Sequence, residues 1–213
     1  MSRKPASVLW SLLLTAAVSG CGATHIDRYF TLANDDRSEA ARETARCVLP
    51  LVIASVMVAP PYKEENIVFR SDAFEIYYYN YRYWVDPPGE MIRGLLQIRL
   101  EGSGLFQAVE PRIHSPSDHL ALYVRLNALE EKDRGGEWYA RLAMRFTLRT
   151  SRGDALVWRY AFDTEQRVSR RDVLGVVEAL SAIYNKELDQ AMISLSAFVS
   201  SHAECTGTSP GSD

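Results

Sequence analysis

Three consecutive segments in the second half of the chain alternate apolar and polar side chains with a period of two. The apolar positions are Leu120, Leu122, Val124, Leu126 and Ala128 in the first segment, Trp138, Ala140, Leu142, Met144, Phe146 and Leu148 in the second, and Leu156, Trp158, Tyr160 and Phe162 in the third. This period places alternate side chains on one face of a β-strand. The intervening runs 132–136 and 151–154 contain the Gly and Asp residues typical of turns. The pattern therefore predicts an antiparallel meander with one buried face.

A long amphipathic helix is predicted after the meander and a shorter one before it. The apolar stripe of the long helix recurs every three or four residues and comprises Val173, Val177, Leu180, Tyr184, Leu188, Ala191, Leu195 and Phe198. We expect Ser169 to cap this helix, with Asp172 completing a capping box. The shorter helix is predicted over residues 90–101 and is stopped by Gly102 and Gly104.

The first half of the chain contributes shorter predicted strands. They cover residues 29–32, 51–58, 66–70, 73–84 and 105–109. The apolar faces of these strands and of the meander need cover, which the two helices can provide. We therefore expect an α+β fold, a two-layer sandwich in which a largely antiparallel sheet has both helices packed on one face.

The first twenty-one residues have the features of a bacterial lipoprotein signal. Arg3 and Lys4 precede an apolar run over residues 8–18, which is too short to span a membrane stably. The run ends in small residues before Cys21 and resembles a lipobox, in which the cysteine is acylated before cleavage. We expect lipidation at Cys21; the alternative is an ordinary signal peptide that leaves a free cysteine. Gly22, rather than Asp, follows the cysteine and favours the periplasmic face of the outer membrane.

Composition and charge restrict the class of partner. The 24 Lys and Arg residues against 27 Asp and Glu residues give a net charge of −3, so the chain lacks the basic surplus of a nucleic-acid-binding protein. Removal of residues 1–20 takes away two cations and leaves a charge of −5. A protein with this negative charge needs its acyl chains to attach to an anionic membrane. We expect a signal peptide over 1–20, a lipidated N-terminus and tether over 21–46, one domain over 47–201 and a disordered tail over 202–213.

Two cysteines remain after Cys21 is assigned to lipid. Cys47 and Cys205 lie in a compartment that we expect to be oxidising, where disulfides form and persist. A bond between them would tie the start of the domain to the end of the long helix. The alternative is two free thiols too far apart to bridge.

Several short motifs follow the lipobox. They are Tyr29-Phe30-Thr31-Leu32, Pro61-Tyr62, Ile67-Val68-Phe69-Arg70, Tyr83-Trp84-Val85-Asp86-Pro87-Pro88 and Ser103-Gly104-Leu105-Phe106. Their order resembles that of the ABC-type transport auxiliary lipoproteins, which include the PqiC-like component of MCE transport systems. The resemblance implies a non-catalytic lipoprotein that docks a periplasmic MCE-domain conduit at the outer membrane. It allows a homo-oligomer and implies no cofactor.

Signals of catalysis are weak. The sequence has no Gly-x-Ser-x-Gly elbow, phosphate-binding loop or Cys-x-x-Cys motif. His114 and His119 are five residues apart in a loop, where a metal pair is not expected. We expect no catalytic or metal-binding residue, and we expect the acidic cluster Glu130, Glu131 and Asp133 to be solvated at a hairpin tip.

Two sets of residues are candidates for partner binding. The first is the aromatic run over residues 77–84, where a regular strand would place Tyr77, Tyr79, Tyr81 and Tyr83 on one face and Trp84 on the other. Its candidates are Tyr77, Tyr79, Tyr81 and Trp84, since Tyr and Trp often carry binding energy at interfaces. The second is a basic stripe on the polar face of the meander, made of Arg125, Arg141, Arg145 and Arg149, with Arg159 beside them. The alternatives are core packing for the aromatic residues and cross-strand pairing with carboxylates such as Asp163 and Glu137 for the arginines.

A lipid-binding carrier is the second functional hypothesis. Such a lipoprotein would itself hold a ligand and would need an apolar cavity in place of a packed core. An anchored hydrolase is disfavoured because no nucleophile or metal constellation is evident.

Overall fold

The fold is described from a computed structural model over residues 25–34, 47–110, 118–202 and 205. Its elements within these residues are β1 (Arg28–Phe30), β2 (Leu51–Val58), β3 (Asn66–Arg70), β4 (Tyr77–Trp84), α1 (Pro88–Ser103), β5 (Val109–Glu110), β6 (Leu120–Arg134), β7 (Glu137–Thr150), β8 (Leu156–Arg167) and α2 (Val173–Ser201). The predicted signal peptide, Cys21 and His114 lie outside the described residues.

The predicted meander forms one side of an eight-stranded sheet, with β8 at its edge. Strand β7 pairs antiparallel with β6 on one side and with β8 on the other. The other edge of β6 is shared, because its first half pairs with β2 and its last residues pair with β3, both in parallel. Parallel pairs also join β1 to β4 and β2 to β5. The sheet is thus mixed, with its longest pairings antiparallel.

Both helices pack on one face of this sheet, which confirms the predicted α+β class. Leu96 of α1 and Leu188 of α2 face the same gap above Leu122 of β6 and Phe146 of β7. The gap has a volume of about 10 Å³, at the lower limit for a single water molecule. The layer between sheet and helices is therefore closely packed.

The hairpin between β6 and β7 is longer than predicted. Residues 132–134 continue β6, and the turn is reduced to Gly135 and Gly136, whose φ angles of 63° and 92° suit a two-residue type I′ turn. Charged residues such as Lys132 and Asp133 resemble a turn in the sequence, but the backbone reverses only at the two glycines.

The start of α2 also differs from the prediction. Asp172 is the N-cap, and its Oδ1 accepts a hydrogen bond from the backbone N–H of Gly175 at 2.7 Å, so the predicted role of Ser169 is wrong. The chain before the helix passes very close to its first turn. A Cβ on Gly175 would lie 2.2 Å from the Arg170 carbonyl oxygen, which explains why glycine stands there.

Both ends of the domain are attached to its core. Cys47 and Cys205 are buried and joined by a disulfide, with the backbone N–H of Val48 donating to the Cys205 carbonyl at 3.1 Å. Strand β1 forms one edge of the sheet, and Phe30 and Leu32 are buried. The packed body therefore includes part of the predicted tether, and Cys205 belongs to it although residues 203–204 and 206–213 lie outside the described residues.

Candidate partner-binding surfaces

The face of the sheet opposite the helices carries the predicted basic stripe. Arg125 on β6 and Arg141, Arg145 and Arg149 on β7 all project from it, because the leucines that alternate with them point to the helices. Arg159 on β8 lies on the same face, opposite Thr147. We call this surface the open face.

Part of the stripe is neutralised within the domain. Arg141 donates from Nη2 and Nε to the Asp163 carboxylate at 2.7 and 2.8 Å, which raises the pKa of the guanidinium and lowers that of Asp163. Arg149 forms an ion pair with Asp154 at 3.0 Å. For these two arginines, pairing with local carboxylates is the observed arrangement.

Arg125 and Arg145 differ from Arg141 and Arg149 in their charge partners. They lie directly opposite each other in the β6–β7 pair, and both are exposed. Within the described residues neither one has a carboxylate partner; the Arg125 guanidinium donates only to the Asn127 side-chain oxygen at 3.1 Å. Like charges placed directly across two strands destabilise a sheet. We call these residues the arginine pair.

Apolar groups border the arginine pair. Met57 on β2 pairs with Arg125 and is 51% exposed, and the exposed Tyr123 lies two residues before it. On the other side, a shallow depression of about 440 Å³ is lined by Arg145, Ala161 and neighbouring residues. Arginine next to exposed Met and Tyr is a composition typical of protein interfaces.

The aromatic run does not form the regular row that the sequence predicts. Tyr78 pairs with Val68 and Tyr83 with Asn66, so five residue steps along β4 are matched by two residue steps along β3. Tyr81 has a φ of 59°, in the left-handed region, at this irregularity. The predicted alternation is wrong, because the irregular backbone breaks the period of two.

The irregular strand divides the predicted aromatic candidates. Tyr77, Tyr78 and Tyr81 are exposed. Trp84 is buried in the core with 1% of its surface exposed, and Tyr79 is half-buried with its hydroxyl donating to Glu131 at 2.7 Å. Trp84 and Tyr79 therefore stabilise the domain and are not part of an exposed contact surface.

The expectation that the acidic cluster is solvated is wrong for Glu130 and Glu131, which are both fully buried. The Glu130 carboxylate accepts hydrogen bonds from the Tyr62 hydroxyl at 2.5 Å, Arg70 Nε at 2.6 Å and Arg141 Nη1 at 3.1 Å. Burial, and then the bond to Glu130, raise the pKa of Tyr62 to about 12. The sequence signal that could have revealed this is the lack of any turn residue between Ala128 and Asp133.

Glu131 lies on the opposite side of β6 from Glu130 and has fewer partners. Burial raises the pKa of Glu131 to about 7, although the bond from the Tyr79 hydroxyl acts in the other direction. Burial and the same hydrogen bond raise the pKa of Tyr79 well above its ordinary value. Asp133 is also bonded, and accepts from the Gly136 N–H at 2.8 Å and the Trp138 indole N–H at 3.2 Å.

A groove of about 550 Å³ separates the turn of β3 and β4 from the turn of β6 and β7. Its cations are already paired, since Lys132 and Arg134 both bond to Glu165. No group of three His, Cys, Asp or Glu side chains that could hold a metal occurs within the described residues. The charged groups here form structural ion pairs.

A family model described as "ABC-type transport auxiliary lipoprotein component" matches residues 30–191. The chain belongs to this family. Two solved structures share the fold of this auxiliary lipoprotein. Protein XCC0632 from Xanthomonas campestris, of family DUF330, has a TM-score of 0.65 and 16% identity, with 84% of this chain and 96% of that chain covered. An uncharacterised protein has a TM-score of 0.61 and 14% identity, with 81% and 99% covered. No curated protein is found to match the chain.

Family membership bears on which molecules the open face contacts. An auxiliary component of an ABC-type transport system works with partners in a transport complex. Within the part of the chain that the structure describes, no helix is long and apolar enough to cross a membrane.

Proposed function

We propose that this auxiliary lipoprotein is a non-enzymatic outer-membrane subunit of an MCE-type ABC lipid transport system, and that it docks the periplasmic MCE conduit at the outer membrane. Acylation of Cys21 would hold it on the periplasmic face. The family assignment supports a transport role, and the lipobox-like run before Cys21 supports the anchor.

The observation that carries the docking role is the arginine pair on the open face. Two opposed guanidinium groups weaken the sheet that holds them, so their presence is best explained by a partner that supplies carboxylates. The exposed Met57 and Tyr123 beside them add the apolar contact that an electrostatic surface alone lacks. We therefore assign the docking surface for an acidic face of the MCE-domain protein to Arg125, Arg145 and this apolar border.

The alternative of a lipid-binding carrier is less well supported. A site for an acyl chain requires several hundred cubic ångströms of apolar space. The gap between sheet and helices measures about 10 Å³, and the groove of about 550 Å³ between the two turns is lined by charged side chains. Native mass spectrometry of the purified protein tests this alternative, since a carrier would retain lipid.

Co-purification with the MCE-domain protein of the same transport system tests the docking role. We expect Arg125→Glu with Arg145→Glu to reduce recovery of that protein by about tenfold or more, because attractive charge pairs become repulsive. Arg152→Glu is the matched control, since Arg152 is also exposed but lies in the turn between β7 and β8. Equal recovery with the double variant and with the control would remove the open face from the interface.

The anchor is tested separately. Cys21→Ser should abolish incorporation of labelled palmitate and release the protein from the outer-membrane fraction. Retention of both label and localisation would contradict the assignment of Cys21.

A further inference from the structure

One end of the sheet is built from two turns, and we call it the hairpin end. The turn over residues 71–76 joins β3 to β4, and Gly135–Gly136 joins β6 to β7. The two turns are neighbours because β3 runs parallel to β6, with Arg70 opposite Lys132. Strand β4 therefore begins at this end, at Tyr77.

The N-terminal segment runs toward the hairpin end. Strand β1 is parallel to β4, with Arg28 opposite Arg82, so the residues before Arg28 pass alongside earlier residues of β4. The His25 ring stacks on the Tyr81 ring at 4.6 Å, so residue 25 lies beside β4, one position nearer the hairpin end than the Arg28–Arg82 pair.

Little chain separates this point from the proposed acylation site. Four residue steps join His25 to Cys21, and at full extension they span roughly 14 Å. The four steps from Tyr81 back to Tyr77 cover about 13 Å of strand. Cys21 therefore lies within roughly 14 Å of His25, a reach that includes the hairpin end.

The hairpin end also carries the most exposed apolar side chain of the described residues. Phe74 at the tip of the turn is 94% exposed, and Ile26 beside β4 is 77% exposed. Tyr77, Tyr78 and Leu174, at the start of α2, are exposed at the same end. Aromatic side chains grouped in this way are typical of the region where a protein meets lipid headgroups.

The turn holds Phe74 in place. Asp72 Oδ1 accepts hydrogen bonds from the backbone N–H groups of Phe74 and Glu75 at 2.7 and 2.8 Å. These bonds define the turn backbone, so Phe74 is presented to solvent by an ordered turn.

From this arrangement we infer that the hairpin end rests on the membrane that holds the acyl chains. Phe74 enters the boundary between headgroups and acyl chains, and Tyr77 and Tyr78 lie among the headgroups. This contact rests on the acylation proposed for Cys21. It makes the strands of the sheet stand away from the membrane surface and leaves the arginine pair accessible from the side.

Tryptophan fluorescence of the lipidated full chain tests the contact. Phe74→Trp is compared with the parent protein in vesicles of phosphatidylethanolamine and phosphatidylglycerol, with and without bromine atoms on the acyl chains. We expect the emission added by Trp at position 74 to be shifted to shorter wavelength and to fall by about half or more in brominated vesicles. Phe74→Asp adds no tryptophan, so its emission should equal that of the parent protein.

The matched control is Ile193→Trp. Ile193 is 64% exposed and lies 20 residues along α2 from Val173, about 30 Å from the hairpin end. Its added emission should be the same in both vesicles. If the emission added at position 74 of the vesicle-bound protein is the same in both vesicles, as it is at position 193, the inference is overturned while the anchor and the docking role stand. If the chain carries no acyl group and does not bind vesicles, the proposed anchor itself fails, and this inference fails with it.

Discussion

Replacing Glu131 with glutamine tests whether the buried carboxylate opposes folding at neutral pH. The pKa of Glu131 is raised from 4.5 to about 7, chiefly because the side chain is buried. Between these two values the folded protein holds a proton that the unfolded chain releases. The free energy of unfolding therefore falls as the pH rises from about 4.5 to about 7, and this group causes no further change above that range.

The two pKa values set the size of the effect. The two pKa values differ by about 2.5, and each pKa unit corresponds to about 1.4 kcal/mol, so the upper limit is about 3–4 kcal/mol. Glutamine has nearly the same shape, stays neutral and keeps an oxygen that can accept the Tyr79 hydroxyl. We expect Glu131→Gln to be about 1–3 kcal/mol more stable than the parent at pH 8 and nearly equal to it at pH 4.5.

Urea unfolding followed by circular dichroism at several pH values between 4.5 and 8 measures this difference. The matched control is Glu165→Gln. Burial opposes ionisation of Glu165, but the Lys132 ammonium and other cations outweigh it and lower the pKa, so its loss should reduce stability at pH 8. If Glu131→Gln were less stable than the parent at pH 8, or kept the same pH dependence, the assignment of an unfavourable buried charge would be refuted.

Three further predictions concern the packing of the domain. Cys47→Ser should lower the free energy of unfolding by about 2–5 kcal/mol, since the disulfide closes a loop of 158 residues; non-reducing mass spectrometry of the parent should find no free thiol at Cys205. Gly175→Ala should lower thermal stability by about 1–3 kcal/mol, because the new Cβ meets the Arg170 carbonyl, whereas Gly94→Ala in α1, with nothing within 4 Å, should raise it by up to about 1 kcal/mol; equal shifts would contradict the close approach. Tyr62→Phe should cost about 1–3 kcal/mol by removing one donor to Glu130, and an unchanged denaturation midpoint would show that this hydrogen bond contributes nothing.

The candidate surfaces were only partly predictable. The basic stripe follows from alternation within β6 and β7, so its position on the open face is a local property of the sequence. Which arginines lack a carboxylate depends on register, since Arg125 meets Arg145 only because the β6–β7 pairing places them opposite each other. The aromatic run was predicted as a regular row, and the bulged backbone near Tyr81 changed which of its side chains are exposed.

Elements with local signals follow from the amino-acid sequence. The meander and both helices are predictable because their apolar residues recur with the period of the element that buries them. What lies beside each strand depends on contacts between distant parts of the chain. Strand β3 pairs in parallel with the end of β6, and that contact buries Glu130 with Tyr62 and Arg70 at a position that the sequence predicts to be a solvated hairpin tip. Burial of a charged side chain depends on such distant partners, and periodicity within one strand carries no information about them.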